Sequence, residues 1–481
     1  MNTLVLGIDI GTQGARAVVT DMYGKNYASQ SVPFAVLNIA KEAHLKEQDP
    51  QVWWTAAVQA IRLCIAELEK NGQQAQDIRA LCVDATSGTV LALDENNDAI
   101  SVGIMYNDPR AQKQAEEISG YAGELERVLG YRVNSSFGLP KIVWLMGNSK
   151  KRARRFVHQQ DFIIGRLSGE YGVTDYSNAL KTCYDLTQKK WPTFFEKLGL
   201  DEELLPKVVA PGTVIGKVQK CAARETGLSE NTLTVAGATD GYASALAAGI
   251  SDCGDWASII GTTMVLKGIE RSLITDEHGR IYSHLHPQGY WLLGGASNIG
   301  GRCLNENFDK SRFDEYNGYA QELTPTGAAC YPLTDKGERF PFVSAEAEGF
   351  LLCDKTDEKT KYTALLEGVG YAERLSFEML EALGCEVKDE IFTAGGACKS
   401  EVWLQIRSDI LNKALKVPVQ TDAVMGTALI ASLATGYKTL KEASENMIKI
   451  SKTVYPSKRA GSYDEGYFKT KAELERRGYL V

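Results

Sequence analysis

Two β-rich runs, Thr3–Gly11 and Ala17–Asp21, flank the Gly/Thr-containing stretch Thr12–Arg16 and lead to a turn at Tyr23-Gly24, a pattern that predicts a hairpin. From Gln51 to Asn71 the apolar residues Val52, Trp53, Ala56, Ala60, Leu63, Ala66 and Leu68 recur every three or four places, which predicts a helix. Ala80–Ala85 and Thr89–Leu93 return to strand character, and strands alternating with helices indicate an α/β fold. A second glycine-rich hairpin lies far downstream, Trp256–Gly261 and Met264–Gly268 around Thr262-Thr263. Each half also has a later strand ending in small residues, Leu81–Gly88 and Ile391–Gly396. We read a weak internal duplication: two related α/β domains around a cleft, residues 1–249 and 250–481, with the boundary in the helix-to-loop stretch Ala245–Gly254.

Length agrees with two domains, since 481 residues exceed the roughly 250–300 at which a single core stops growing. The 53 Lys and Arg against 61 Asp and Glu leave a net charge of −8. That charge gathers no polynucleotide, so an anionic substrate must be held by local donors. No apolar run approaches the ~18 residues of a membrane span. No basic segment precedes the first apolar run, so the expected location is the cytoplasm. The ten cysteines are scattered singly, without a CxxC pair, and read as reduced core thiols.

Three places carry chemistry. Asp9 stands two residues before Gly11-Thr12. Glycine lets backbone N–H groups approach phosphate oxygens, Thr12 adds a hydroxyl, and a carboxylate can hold magnesium directly or through water. The spacing Gly7-x-x-x-Gly11-x-x-Gly14 is neither a dinucleotide fingerprint nor a Walker A loop. Gly261-Thr262-Thr263 repeats the first turn in form. In Val235–Gly249, Asp240 stands between a glycine-rich strand end and a small-residue helix; it is either an N-cap or a base for a substrate hydroxyl.

Gly7-Ile-Asp-Ile-Gly-Thr12, Glu47-Gln-Asp-Pro50 with Trp53-Trp54, Tyr106-Asn-Asp108, Thr174-Asp-Tyr-Ser-Asn-Ala179, Thr239-Asp240-Gly241, Gly261-Thr-Thr263 and Ala394-Gly-Gly-Ala397 together resemble the FGGY carbohydrate kinase family, over nearly the whole chain. The resemblance implies two actin-like (ribonuclease H-like) domains around a central ATP and sugar cleft. It implies ATP and magnesium as cofactors, Asp240 as the general base, and metal contacts at Asp9 and Asp240. Nucleotide contacts would fall on Gly11, Thr12 and Gln13, on Gly261, Thr262 and Thr263, and on Gly395, Gly396, Ala397 and Lys399. Sugar contacts would fall on Thr86, Ser87, Asn107 and Asp240. The implied partners are a small-molecule sugar and ATP, with no nucleic acid and no membrane; a homodimer stays open.

The sugar is read from departures. Bacterial xylulokinases carry Gln-Met-His-Gly after the third strand, whereas this chain has Ala85-Thr86-Ser87-Gly88. Asp84–Leu91, Gly295–Gly301 and Lys336–Pro341 resemble the branch of cyanobacterial and plant kinases assigned to D-ribulose. The implied reaction is phosphorylation of the primary hydroxyl of a ketopentose, D-ribulose first. D-xylulose or another polyol or sugar is the alternative, and a non-catalytic sugar-sensing module is the alternative from another class. Gly241 stands where xylulokinases commonly place Asn, which removes one sugar contact. Lys150–Arg155 reads as a solvated face continuing the helix from Lys141. His284 and His286, with His278 upstream, lack the further ligands of a zinc site.

Overall fold

Leu4–Ile10 is buried at every position, as a strand covered on both faces must be. The computed structural model describes residues 3–34, 39, 42, 44–355 and 357–480. The chain forms two units. The first takes in Met1–Ala247, His284–Tyr290 and Asp422–Lys449, and the second Ala248–Ser283, Trp291–Thr421 and Ile450–Val481.

The sheet of the first unit contains β1 (Leu4–Ile10), β2 (Gly14–Asp21), β3 (Asn26–Pro33), β4 (Ile78–Ala85), β5 (Val214–Lys217) and β6 (Leu233–Thr239), in the order β5-β6-β4-β1-β2-β3. Neighbours β6, β4 and β1 run parallel, and the remaining pairs are antiparallel. The second sheet contains β7 (Trp256–Ile260), β8 (Met264–Glu270), β9 (Tyr282–Leu285), β10 (Trp291–Ser297), β11 (Glu390–Ala394), β12 (Ala414–Pro418) and β13 (Ile450–Val454), in the order β9-β10-β8-β7-β11-β12-β13. Its parallel pairs are β7 with β11 and β11 with β12. Apart from the added β9, the two sheets share one spatial order and one set of strand directions, although β5 precedes β6 in the chain whereas its counterpart β13 follows β12. The strands Leu81–Gly88 and Ile391–Gly396, matched on their small residues, correspond to β4 and β11, which occupy equivalent places.

The helices that bear on the site are α1 (Pro50–Lys70), α2 (Gly138–Asn148), α3 (Tyr176–Leu180), α4 (Asp240–Ala247), α5 (Glu358–Ala382), α6 (Glu401–Leu411) and α7 (Ala423–Ser432). Helix α1 begins where Asp49 accepts the N–H of Gln51 and Pro50 fills the first turn, and it buries Trp53, Ala57, Ile61 and Leu68. In the second unit, Trp256 and Leu266 of the sheet share a core with Tyr362 and Leu366 of α5 and Trp403 and Leu404 of α6.

Helix α7 follows β12 in the chain yet belongs to the first unit. All ten of its residues are buried, and the segment is accordingly apolar all round. Two glycines let it sit that close. A Cβ on Gly7 of β1 would stand 2.2 Å from the Val424 carbonyl oxygen, and one on Gly426 of α7 would stand 1.9 Å from the Ala243 oxygen of α4.

One expectation fails. Lys150–Arg155 is no helix face: α2 ends at Asn148, Ser149 turns extended, and Arg155 already opens a strand, Arg155–His158. All ten cysteines are free thiols. Among the described residues no helix is long and apolar enough to cross a membrane.

The close approach of α7 is testable. Gly426→Ala should destabilise the protein by about 1–3 kcal/mol or more, because rigid backbone has to move. Gly120→Ala, on an exposed helix with nothing within 4 Å of the added methyl, should stabilise it by about 0.5–1 kcal/mol. Denaturant melts of the two variants check this; equal midpoints would contradict the packing described.

Candidate functional site

The parallel pairing of β1, β4 and β6 sets the geometry of the first unit's site. Asp9 lies opposite Asp84 in the β1–β4 register, and Thr239 lies opposite Ala85 in the β4–β6 register. Asp9, Asp84 and Asp240 therefore stand at the carboxyl ends of three adjacent strands, the edge where open α/β sheets bind ligands. Asp240 is the first residue of α4, and its Oδ1 accepts the Gly241 N–H at 2.8 Å. It thus engages the first free N–H of the helix and still brings a carboxylate to this edge.

Their electrostatics are shared. Burial pushes the Asp240 carboxyl up to about 6; the charge of Asp9 adds to this, while the Gly241 and Ser87 N–H groups and Lys181 oppose it. Burial raises Asp9 as well, with the Asp84 contact and Arg16 pulling it back and Asp422 adding to the rise. Asp84 is fully buried and raised furthest, by desolvation first and by Asp9 next, against the hydrogen bond it accepts from the Thr427 hydroxyl of α7. Its Oδ1 has no hydrogen-bond partner of its own. Carboxylate oxygens are the hard donors that magnesium takes one or two at a time, its other positions going to water or phosphate. Asp9 and Asp240 fit that use; no three His, Cys, Asp or Glu side chains group as a metal site among the described residues.

The turn Gly11-Thr12-Gln13 is braced from behind. Gly11 N–H donates to the Gly14 oxygen at 3.0 Å, and Phe34 N–H donates to the Gln13 oxygen at 2.8 Å. Gln48 bridges the turn to α1, giving its amide N–H to the Thr12 oxygen at 2.9 Å and accepting the Trp53 indole N–H at 2.6 Å. The Glu47–Pro50 and Trp53-Trp54 signature is thus a scaffold for the hairpin. Asp175 and Ser177 act similarly for Asp240. Asp175 caps α3, and the Ser177 hydroxyl accepts the Thr239 N–H at 2.8 Å, fixing the residue before Asp240.

Ser87 and Thr86 part company. The Ser87 hydroxyl is sequestered without a hydrogen-bond partner, so it does not tie down local backbone. Thr86, which the resemblance sets beside the sugar, is buried and donates its hydroxyl to Gln159 Oε1 at 2.6 Å, with the Thr89 hydroxyl 2.7 Å away. Its side chain braces the turn. Thr89 in turn accepts the Tyr106 N–H at 3.1 Å, which links the turn carrying exposed Asn107 to the Ser87 turn. Next to Asn107, Asp108 is enclosed in a fork with Arg110, at 2.8 and 2.7 Å.

In the second unit, Gly261-Thr262-Thr263 closes the β7–β8 hairpin, with Gly261 N–H on the Thr263 oxygen at 3.0 Å. Gly395 follows β11 at φ +92°, and a Cβ there would stand 2.4 Å from the Ile260 oxygen, so the two turns are neighbours. Gly395, Gly396 and Lys399 are exposed, whereas Ala397 has its methyl in the core and has only backbone to offer a ligand. Below these turns a fully buried Arg407 pairs with Glu373 at 2.8 and 2.7 Å and donates to Thr393 Oγ1 of β11 at 3.0 Å. His286 Nδ1 accepts the Gln288 N–H at 3.2 Å, a loop contact.

Sequence reasoning missed Asp84, Thr427 and Arg407 as parts of these sites. A carboxylate inside the apolar run Ala80–Ala85 was the available signal for Asp84. Thr427 and Arg407 carry none, since their partners lie on distant segments.

Comparison with known proteins bears on the fold and the family. Residues 4–247 match the N-terminal domain of the FGGY family of carbohydrate kinases, and residues 256–435 match its C-terminal domain. The chain is 26% identical to a xylulose kinase of Bacillus subtilis, covering 94% of this chain and 92% of that protein. It is 27% identical to a gluconokinase of the same species, covering 93% and 91%. The fold superimposes with a TM-score of 0.86 on the crystal structure of a xyloylose kinase from Brucella ovis, at 23% identity and over 99% and 100% of the two chains. With both of its domains matched in order, the chain belongs to the FGGY family of carbohydrate kinases.

Proposed function

We propose that this kinase transfers the γ-phosphoryl group of ATP to the primary hydroxyl of a ketopentose, with D-ribulose preferred over D-xylulose. The observation that carries the choice of sugar is the sequestered, unpartnered Ser87 hydroxyl on a turn whose backbone N–H faces Asp240. A hydroxyl can donate to or accept from a sugar oxygen, and a site built around such a bond discriminates against the sugar that cannot make it. The names of the relatives favour D-xylulose as the second reading.

In this reading the first unit binds the acceptor, and the turns Gly261–Thr263 and Gly395–Lys399 of the second unit hold the nucleotide, a division of roles at about residue 249. Asp240 takes the proton of the substrate hydroxyl as that oxygen bonds to phosphorus and the bond to the departing ADP breaks. Asp9, with Asp240, would hold the magnesium ion, whose charge offsets that of the phosphates. Backbone N–H groups of the Gly11–Gln13 turn orient phosphate oxygens. Asn107 contacts the sugar from the turn that Thr89 secures.

Asp240 should set the acid limb of the pH profile. A base must be ionised, so kcat/KM should fall about tenfold per unit as pH drops below about 6. Asp240→Asn should lower turnover by ~10²–10⁴. It should also stabilise the fold. A carboxyl raised from 3.8 to about 6 binds its proton better when folded, and that advantage is complete below 3.8 and lost as pH rises through about 6. The variant should therefore outlast the wild type at alkaline pH by of order 1–3 kcal/mol and lose this margin in acid. Melting curves at several pH values and pH–rate profiles measure both; a variant with more than about a tenth of wild-type turnover contradicts the base role.

Sugar choice is read by coupled ADP release over D-ribulose, L-ribulose, D-xylulose, L-xylulose, ribitol, xylitol, glycerol and gluconate. D-ribulose should give the highest kcat/KM. Ser87→Ala should lower it roughly 5- to 150-fold without changing ATP affinity. Equal efficiencies for the two D-ketoses, or no effect of the substitution on the sugar, would overturn the assignment.

A further inference from the structure

Lys141, on the first turn of α2, has no exposure to solvent, yet no carboxylate lies within hydrogen-bond reach of its ammonium group. The Nζ donates instead to two backbone oxygens, those of Ser135 at 2.6 Å and Phe137 at 3.0 Å. Between them lies the Ser136 oxygen, which packs so tightly on the Ser87-Gly88 turn that a Cβ on Gly88 would stand 2.2 Å from it. Gly88 also holds φ +81°, so no other residue fits there without strain. On its other side the same turn has its Ser87 N–H near enough to the Asp240 carboxyl to help hold it down.

We infer that Lys141 is a positioning residue for the acceptor sugar: by clamping Ser135 and Phe137 it holds the Ser136 carbonyl against the Ser87 turn and so fixes the wall that reads the ketose. This rests on the reading of Ser87 as a sugar contact and adds a residue to it.

The clamp depends on charge. A protonated amine bonds carbonyl oxygens about twice as strongly as a neutral one. Burial pushes the Lys141 ammonium down to about 7; Asp108 opposes this, and Lys181 and Arg110 add to it. His158, which also feels the Lys141 charge, is driven by burial down to about 3 and stays neutral above that. Asp240, across the Ser87 turn, ionises lower, at about 6, so the change in charge above that is the one at Lys141, and the clamp weakens as pH rises through about 7.

The test is steady-state kinetics of the wild-type enzyme with its best ketose, from about pH 6.5 to 8.5, above the acid limb set by Asp240. The KM for the sugar should rise roughly 3- to 10-fold across that range while the KM for ATP stays level. Lys141→Gln, with an uncharged donor, should show a sugar KM that is raised throughout and no longer varies with pH, with kcat changed less than KM. A flat sugar KM in the wild type, or an equal rise in the KM for ATP, overturns the inference, and that profile decides the matter even if Lys141→Gln does not fold. Ser87→Ala separates the two readings: an unchanged sugar KM defeats the sugar contact itself, whereas a raised one beside a flat wild-type profile defeats only the role of Lys141.

Discussion

Three like charges along one edge of one sheet are the constraint around which the first unit is built. Asp9 and Asp84 are cross-strand neighbours, and Asp240 follows on the next strand over, so ionising any of them raises the cost for the others. Burial sharpens the conflict, because the low dielectric that would make these groups effective also makes them expensive. The surrounding chain answers with donors, not with a strong ion pair. The Thr427 hydroxyl, the N–H groups of Gly241 and Ser87, and the more distant Arg16 and Lys181 each offset part of the charge. What remains is an edge with spare negative potential, suited to a cation and to a departing proton.

The second unit solves a different problem with the same strand order and directions. In the nucleotide-holding role proposed for its turns, backbone has to reach a ligand, so their side chains are small, and stiffness has to come from below. Arg407 and Glu373 provide it, a fully enclosed ion pair that reaches the strand under Gly395 through Thr393. Such a pair adds little net stability, yet removing one partner would strand a buried charge at a cost of about 3–5 kcal/mol.

Much of this was legible in order along the chain. Both hairpins, α1 and the strand leading to Asp240 followed from periodicity and glycine placement, since local pattern decides local structure. The duplicated topology was visible only as paired small-residue strand ends, Leu81–Gly88 and Ile391–Gly396. What stayed hidden was direction and distance. Thr86 and Ser87 are adjacent and chemically alike, but one hydroxyl turns to Gln159 and the other does not, a difference no pattern of residue types records. Thr427 meets Asp84 across 343 positions of sequence. The basic run after α2 misled because charge spacing on a helix is meaningful only while the helix continues, and it stops at Asn148.

The placement of α7 has a consequence for how the polypeptide is made. Synthesis is vectorial, and domains ordinarily fold as they emerge, the N-terminal one first. Here the first unit lacks a buried helix until the ribosome has passed Ser432, after nearly all of the second sheet has been translated. Until then the seat between β1 and α4 is bare: Gly7 and Ala243 face no backbone, and Asp84 has no hydroxyl. The nascent chain must shelter that apolar surface through most of its own elongation, so the unit begun first is finished only when the second is itself nearly made, and the two are completed within the last few dozen residues of synthesis.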